Sequence, residues 1–346
     1  MARLGFGLAS ALMLLGLAST AQAQAPAARY EKVHKITIGG EGGWDFLEVD
    51  AANRRLYVSR STKVIVVDPD SKKVVGEITE TPGVHGVAFA PELNRGFTSN
   101  GGDSTVTVFD LKTLKTLGKV KANGRPDIIT YEPVTRRILS FNHGSNDITA
   151  IDPSEMNVVG TLAAGGVPEL ACSDEKGHVF VNLEDTAEIL EFDAATMKAV
   201  KKFSISPGED PTGLAFDVKS RKLFSTCANR KLVVSDADSG KVVQTLEIGT
   251  GPDGCIFDAD RKLIFSSNGG DGTLTIIREK APSQYEVVAN IKTEVSAKTI
   301  AMDPKTHRLY LASATVDEKA TPTKTKKGGT RRPFVAGSFG VLVVGD

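Results

Sequence analysis

The chain has 346 residues, 42 basic and 42 acidic side chains, and a formal net charge of zero. That balance speaks against a binder of nucleic acid or acidic surfaces that works through overall charge. With 40% apolar and 24% charged residues it is neither a disordered chain nor a bundle of membrane spans, and 34 glycines against 15 prolines favour many short strands joined by turns.

The first segment reads as a secretory leader. Arg3 precedes an apolar run from Leu4 to Leu17, followed by Ser19-Thr20-Ala21-Gln22-Ala23, an A-x-A ending. The run is shorter than the roughly 20 residues a spanning helix needs. The expectation is cleavage after Ala23, a periplasmic or secreted protein, and one domain over 24–346. The cysteines, Cys172, Cys227 and Cys255, lack the close spacing of a structural zinc site and read as small buried residues, with at most one internal disulfide.

Beyond the leader the chain is repetitive. An apolar run closing on a polar residue recurs with its last position at 68, 110, 152, 193, 236 and 278, steps of 42, 42, 41, 43 and 42. Upstream of each lies a run opened by a basic residue, such as Arg55-Leu56-Tyr57-Val58-Ser59, Arg95–Ser99, Arg137–Phe141 and Arg308–Ala312. A third segment opens each repeat (Arg125-Pro126-Asp127-Ile128-Ile129, Gly251-Pro252-Asp253-Gly254-Cys255) and a fourth closes it (Lys73-Val74-Val75-Gly76). The segments are short, rich in Val, Ile, Phe and Thr, and bounded by Gly, Asp, Asn or Pro, which makes them strands. Four strands per period of about 42 residues, seven times over, predict an all-β, seven-bladed β-propeller. The last repeat lacks a fourth strand, and Val33–Ile38 can supply it by pairing with Val341–Val344, so that no edge stays open.

These strands and the G-x-P-x-x-[IL] openings resemble the YVTN-repeat propellers, most closely the periplasmic YncE-like proteins, over residues 30–346. The resemblance implies the propeller fold and a periplasmic location. It does not assign a function.

Most of the repeated polar residues have structural roles. Asp68, Asp110, Asp152, Asp193 and Asp236 each precede a turn and are expected to cap it. Gly101-Gly102 and Gly269-Gly270 suit tight hairpins. One repeat position differs. Four residues before the apolar end of each first strand stand Asp45, His85, Asp127, Glu169, Thr212, Asp253 and Lys298. The first strand lines the channel, so these side chains should ring its mouth, with Asn100, His143, Glu184, Asn229 and Asn268 nearby. Four carboxylates against one lysine favour a cationic ligand or metal. Asp45, His85, Asp127, Glu169 and Asp253 are the candidate ligands of a divalent cation.

An insertion in blade 7, about residues 315–337, carries six basic residues against Asp317 and Glu318. It reads as a solvated loop dispensable for folding, or as a lid or a patch for an anionic partner. Three functions stay open. The first is a ligand-binding or interaction module working through the channel mouth, monomeric, with a small molecule or protein as partner. The second is a metal-assisted hydrolase, lactonase or lyase; propeller lactonases hold one cation at this place, but their motifs are absent here. The third is nucleic-acid binding through the insertion, which the neutral charge and acidic mouth disfavour.

Overall fold

A computed structural model of the protein describes residues 29–31, 33–324 and 330–345 together with Met1; the side chain of Arg331 is excepted. The remainder of the expected leader, residues 2–23, lies outside the described residues. Among the described residues no helix is long and apolar enough to cross a membrane.

Seven four-stranded antiparallel sheets form the ring. Blade 1 runs through Leu47–Asp50, Arg55–Arg60, Lys63–Asp68 and Lys73–Ile78, each strand pairing with the next. Blades 2 to 6 repeat the pattern from inner strands Val84–Ala90, Pro126–Glu132, Pro168–Ser173, Pro211–Asp217 and Pro252–Asp258. Blade 7 runs from Ile300–Met302 through Leu309–Ser313 to Gly340–Val344, and the N-terminal strand Val33–Thr37 completes it. The register matches Val33 with Val344 and Thr37 with Gly340, the closure expected from the sequence.

The core is divided into seven apolar clusters, one at each contact between neighbouring blades. Successive residues of a strand face opposite sides, so Leu56 and Val58 pack toward blade 7 while Tyr57 packs toward blade 2. Both faces of the middle strands are therefore buried, which is why they read as unbroken apolar runs. The fourth strands are outermost, and Val74 and Val75 on one of them are exposed.

The five aspartates that close the third strands cap turns. Asp68 Oδ1 accepts from the N–H groups of Asp70 and Ser71 at 2.9 and 3.1 Å, and Asp110 Oδ1 does the same for Lys112 and Thr113. The basic residues that open the second strands do more than border solvent. Arg95 donates to the carbonyls of Pro153 and Ser154, and Arg137 to those of Ala194 and Ala195, so each clamps the turn of the following blade. All three cysteines are free thiols, with Cys227 and Cys255 buried.

Candidate functional site

In five blades the ring position falls at an irregularity in the ladder between the first two strands. The register breaks between Val84 and Val87, Pro126 and Ile129, Pro168 and Ala171, Pro211 and Leu214, and Pro252 and Gly254. A bulge re-aims the side chain it carries. Here it frees His85, Asp127, Glu169, Thr212 and Asp253 from the pleat at the channel mouth. The opening Pro costs no ladder bond at the first position of a strand. Neighbouring blades fix the backbone of the ring: the Ser99 hydroxyl donates to Asp127 O, the Ser267 hydroxyl to Lys298 O, and the Thr299 hydroxyl to Asp45 O.

The ring side chains separate into two groups. In the first, His85 Nδ1 lies 2.6 Å from Asp45 Oδ2 and 3.3 Å from Asp127 Oδ1. Lys298 Nζ is ion-paired with Asp253 and lies 3.4 Å from Asp45 Oδ1. Burial works against charge on Lys298, but Asp253 and Asp45 outweigh it and keep the ammonium protonated. Burial likewise opposes the His85 imidazolium, and the Asp45 hydrogen bond with the charges of Asp127 and Asp45 raises its pKa above the ordinary value. Asp45 is held low by Lys298 and His85 in spite of its burial. Asp127 is raised, chiefly by burial.

In the second group His143 Nε2 stands 3.8 Å from Glu169 Oε1 and 3.7 Å from Glu184 Oε2. Among the described residues no Lys or Arg pairs with either glutamate. Burial, then Asp127, Asp253 and Glu184, push Glu169 up to about 9, so its carboxyl is protonated at neutral pH. Thr212 takes no part in either group: its hydroxyl donates to Pro252 O at 3.1 Å.

Of the five candidate metal ligands, Asp45, His85 and Asp127 offer ligand atoms within 4.8 Å of one another, while Glu169 does so with His143 and Glu184. Asp253 is engaged by Lys298. Three neighbours expected at the mouth do other work. Asn100 and Asn268 are buried inside their blades, donating to Thr105 and Thr107 and to Thr273 and Thr275. Asn229 donates to Pro207 O and belongs to a turn.

Below the ring the channel narrows to an apolar throat of about 120 Å³, lined among others by Phe46, Val87, Ile128, Leu170 and Ile300. Glu48 lines this throat with its side chain still open to channel water, and desolvation by the surrounding walls raises its carboxyl to about 7. Sequence reading passed over Glu48; its signal was a carboxylate between Leu47 and Val49 in an inner strand.

The insertion is an ordered arm over its described residues. Thr323–Lys324 pairs with Thr330–Arg331, and Val316 bridges Phe334. At its base Phe334 packs on Trp44, with ring centroids 4.9 Å apart. Val316 and Phe334 share a cavity of about 480 Å³ with Trp44, Gly269, Gly270 and Lys298, which places the arm beside the channel mouth. Arg332 pairs with Glu318 at 2.9 Å.

No family model matches the chain, and no curated protein matches it. Solved structures do. Hydrazine synthase of Kuenenia stuttgartiensis aligns with a TM-score of 0.72 at 16% identity, covering 80% of this chain and 94% of that one. The structure of U3-55K gives 0.74 at 9% identity, covering 91% and 98%. The RRP9 WD40 repeats give 0.74 at 8%, covering 90% and 97%. The protein is thus a seven-bladed β-propeller with WD40-repeat structural neighbours, and at these identities the likeness shows the fold alone.

Proposed function

We propose that the protein is an exported, YncE-like propeller that binds a small cationic ligand at its channel mouth, in the part of the ring formed by Glu169, Glu184 and His143. One observation carries this reading: Glu169 and Glu184 converge on His143, and among the described residues no Lys or Arg pairs with either of them. Across the ring, Lys298 already serves Asp253 and Asp45 in that way. The built-in ammonium illustrates the chemistry that the other half lacks, and Glu169 is raised by its burial first and by the neighbouring carboxylates after it. The leader-like residues 1–23 support export, and the propeller is a fold commonly used as an interaction module.

A second reading, metal-assisted hydrolysis, is favoured by the His143 geometry. Separations of 3.7 and 3.8 Å are too long for hydrogen bonds. They suit side chains that share one ion, each about 2.0–2.2 Å from it. A bound ion would supply a polarised water, and Asp127, outside the His143–Glu169–Glu184 set, would be the residue to accept its proton.

Thermal melts decide between these readings. Putrescine, Ca, Mg, Mn and Zn are titrated separately, with and without chelator. The expected outcome is a concentration-dependent rise in midpoint with at least one of them, lost in Glu184→Gln. About a 100-fold excess over Kd adds roughly 2.7 kcal/mol. Response to a metal together with turnover of a lactone favours the enzyme, and response to putrescine alone favours the binding module. No response to any of these cations would end both readings.

A further inference from the structure

Arg60 departs from the repeat. It is the last residue of the second strand of blade 1, and the equivalent positions in blades 2 to 7 hold Asn100, Asn142, Leu183, Cys227, Asn268 and Ser313. The fold accepts small or neutral side chains there, and nothing in the repeat calls for a guanidinium. Yet Arg60 is 3% exposed, and no carboxylate faces it among the described residues. Its Nη1 donates to the carbonyls of Gly42 and Gly43, and its Cζ lies 3.8 Å from the centroid of the Phe339 ring. These contacts leave Nε and Nη2 without a hydrogen bond among the described residues. Placing a cation there without a counter-charge is costly.

The same arginine lines a cavity of about 410 Å³ between blades 7 and 1, under the base of the insertion. The size suits a small organic ligand. Trp44, Phe334 and Phe339 supply apolar and aromatic wall, with Trp44 within 4.9 and 5.2 Å of the two phenylalanine rings. Of the charged groups in the lining, Arg332 is paired with Glu318 and Glu41 is exposed on the rim, so the buried charge inside the cavity is the Arg60 guanidinium. Gly42, Trp44 and Phe334 also line the neighbouring cavity that reaches Lys298, so the two spaces share a wall.

We propose that this cavity is a second binding site, distinct from the channel mouth, for a small carboxylate with a planar apolar body. The carboxylate pairs with the free edge of the Arg60 guanidinium, and the body lies against Trp44 and Phe334. An arginine fork matches a carboxylate in shape as well as charge, and the low-dielectric setting strengthens the pair. Glycine at positions 40 and 42, both at positive φ, lets the backbone turn past the guanidinium.

Trp44 is the chain's single tryptophan, so its emission reports this cavity. Purified protein is titrated with phenylacetate, and with phenethylamine as the cation of matching body. The expected result is a saturable change in tryptophan emission with phenylacetate and none with phenethylamine. Arg60→Gln should weaken phenylacetate binding at least tenfold while the thermal midpoint holds, whereas Asp127→Asn, at the mouth, should leave it unchanged. If Arg60→Gln does not fold, Phe334→Ala takes its place and should weaken phenylacetate far more than acetate. An absent or non-saturable response, an equal response to the amine, or unaltered binding in Arg60→Gln would overturn the proposal.

Discussion

A carboxyl group where Glu169 stands has lost most of its water and faces Asp127, Asp253, Glu184 and Asp45 across the ring. The unfolded chain ionises it near its ordinary 4.5, whereas the folded ring keeps the proton to about 9. Folding therefore takes up a proton between those values, and stability falls as pH rises from about 4.5 to 9. Glu48, raised to about 7 in the throat, adds a slope of the same sign at the lower end of that window. Glu169→Gln keeps the shape and removes the ionisation. It should raise stability at pH 8 by roughly 1–3 kcal/mol, and flatten the loss of stability between pH 6 and 9. Chemical unfolding at several pH values measures both, and an unchanged slope would show that Glu169 ionises freely in the folded ring. The ring itself was legible because one repeat position holds a polar residue in every blade. Glu184 and His143 were legible only as neighbours. Their approach to Glu169 depends on loop conformations after the second strands, which the repeat spacing does not specify.

Among the elements, the arm of blade 7 is where sequence and structure part most clearly. Its run of lysines and glycines suggests a solvated loop whose removal changes nothing. The residues that matter sit at its base: Phe334 packs on Trp44, Ser338 donates to the carbonyl of Val335, and the Val335 N–H to that of Thr315. Charge composition hides such a base, because two or three apolar residues at the ends of a basic insertion leave little trace in it. Loop closure favours a shorter connection only slightly, so the lost aromatic contact decides the sign. Replacing 316–336 with a short Gly-Ser turn should lower stability by about 1–2 kcal/mol and shift Trp44 emission to the red. The fold should survive, since the strands Leu309–Ser313 and Gly340–Val344 keep their own pairing. Equal midpoints and unshifted emission would restore the expectation of a freely dispensable loop. The strands were easier to read than the arm for a physical reason. A strand buried on both faces must be apolar throughout, and a turn capped by Asp must carry it at a fixed place, as Asp68 and Asp110 do.

At the scale of the whole molecule, the ring depends on a join between residues more than 300 positions apart. Val33–Thr37 forms the outer strand of blade 7 with five matched pairs against Gly340–Val344. Close approach is built in at Gly340, where a Cβ would meet the Ile36 carbonyl at 2.3 Å. The join also reaches blade 6. Tyr30 is fully buried, packs edge-on to Phe265 at 4.9 Å, and its hydroxyl accepts a hydrogen bond from Arg261 Nη1 at 2.7 Å. The N-terminal segment therefore closes blade 7 and pins it to its neighbour. Removing residues 24–38 strips Tyr30 and Ile36 from two of the seven blade contacts and leaves Gly340–Val344 as a bare edge. Loss of those two side chains alone costs roughly 3–6 kcal/mol, and the open edge invites pairing between molecules. The truncated protein should melt at a clearly lower temperature, over a broader range, and associate at concentrations where the full chain does not. Calorimetry and light scattering read both effects. A truncated ring that melts as sharply and as high as the full chain would mean that the blade contacts hold the circle shut without the N-terminal strand.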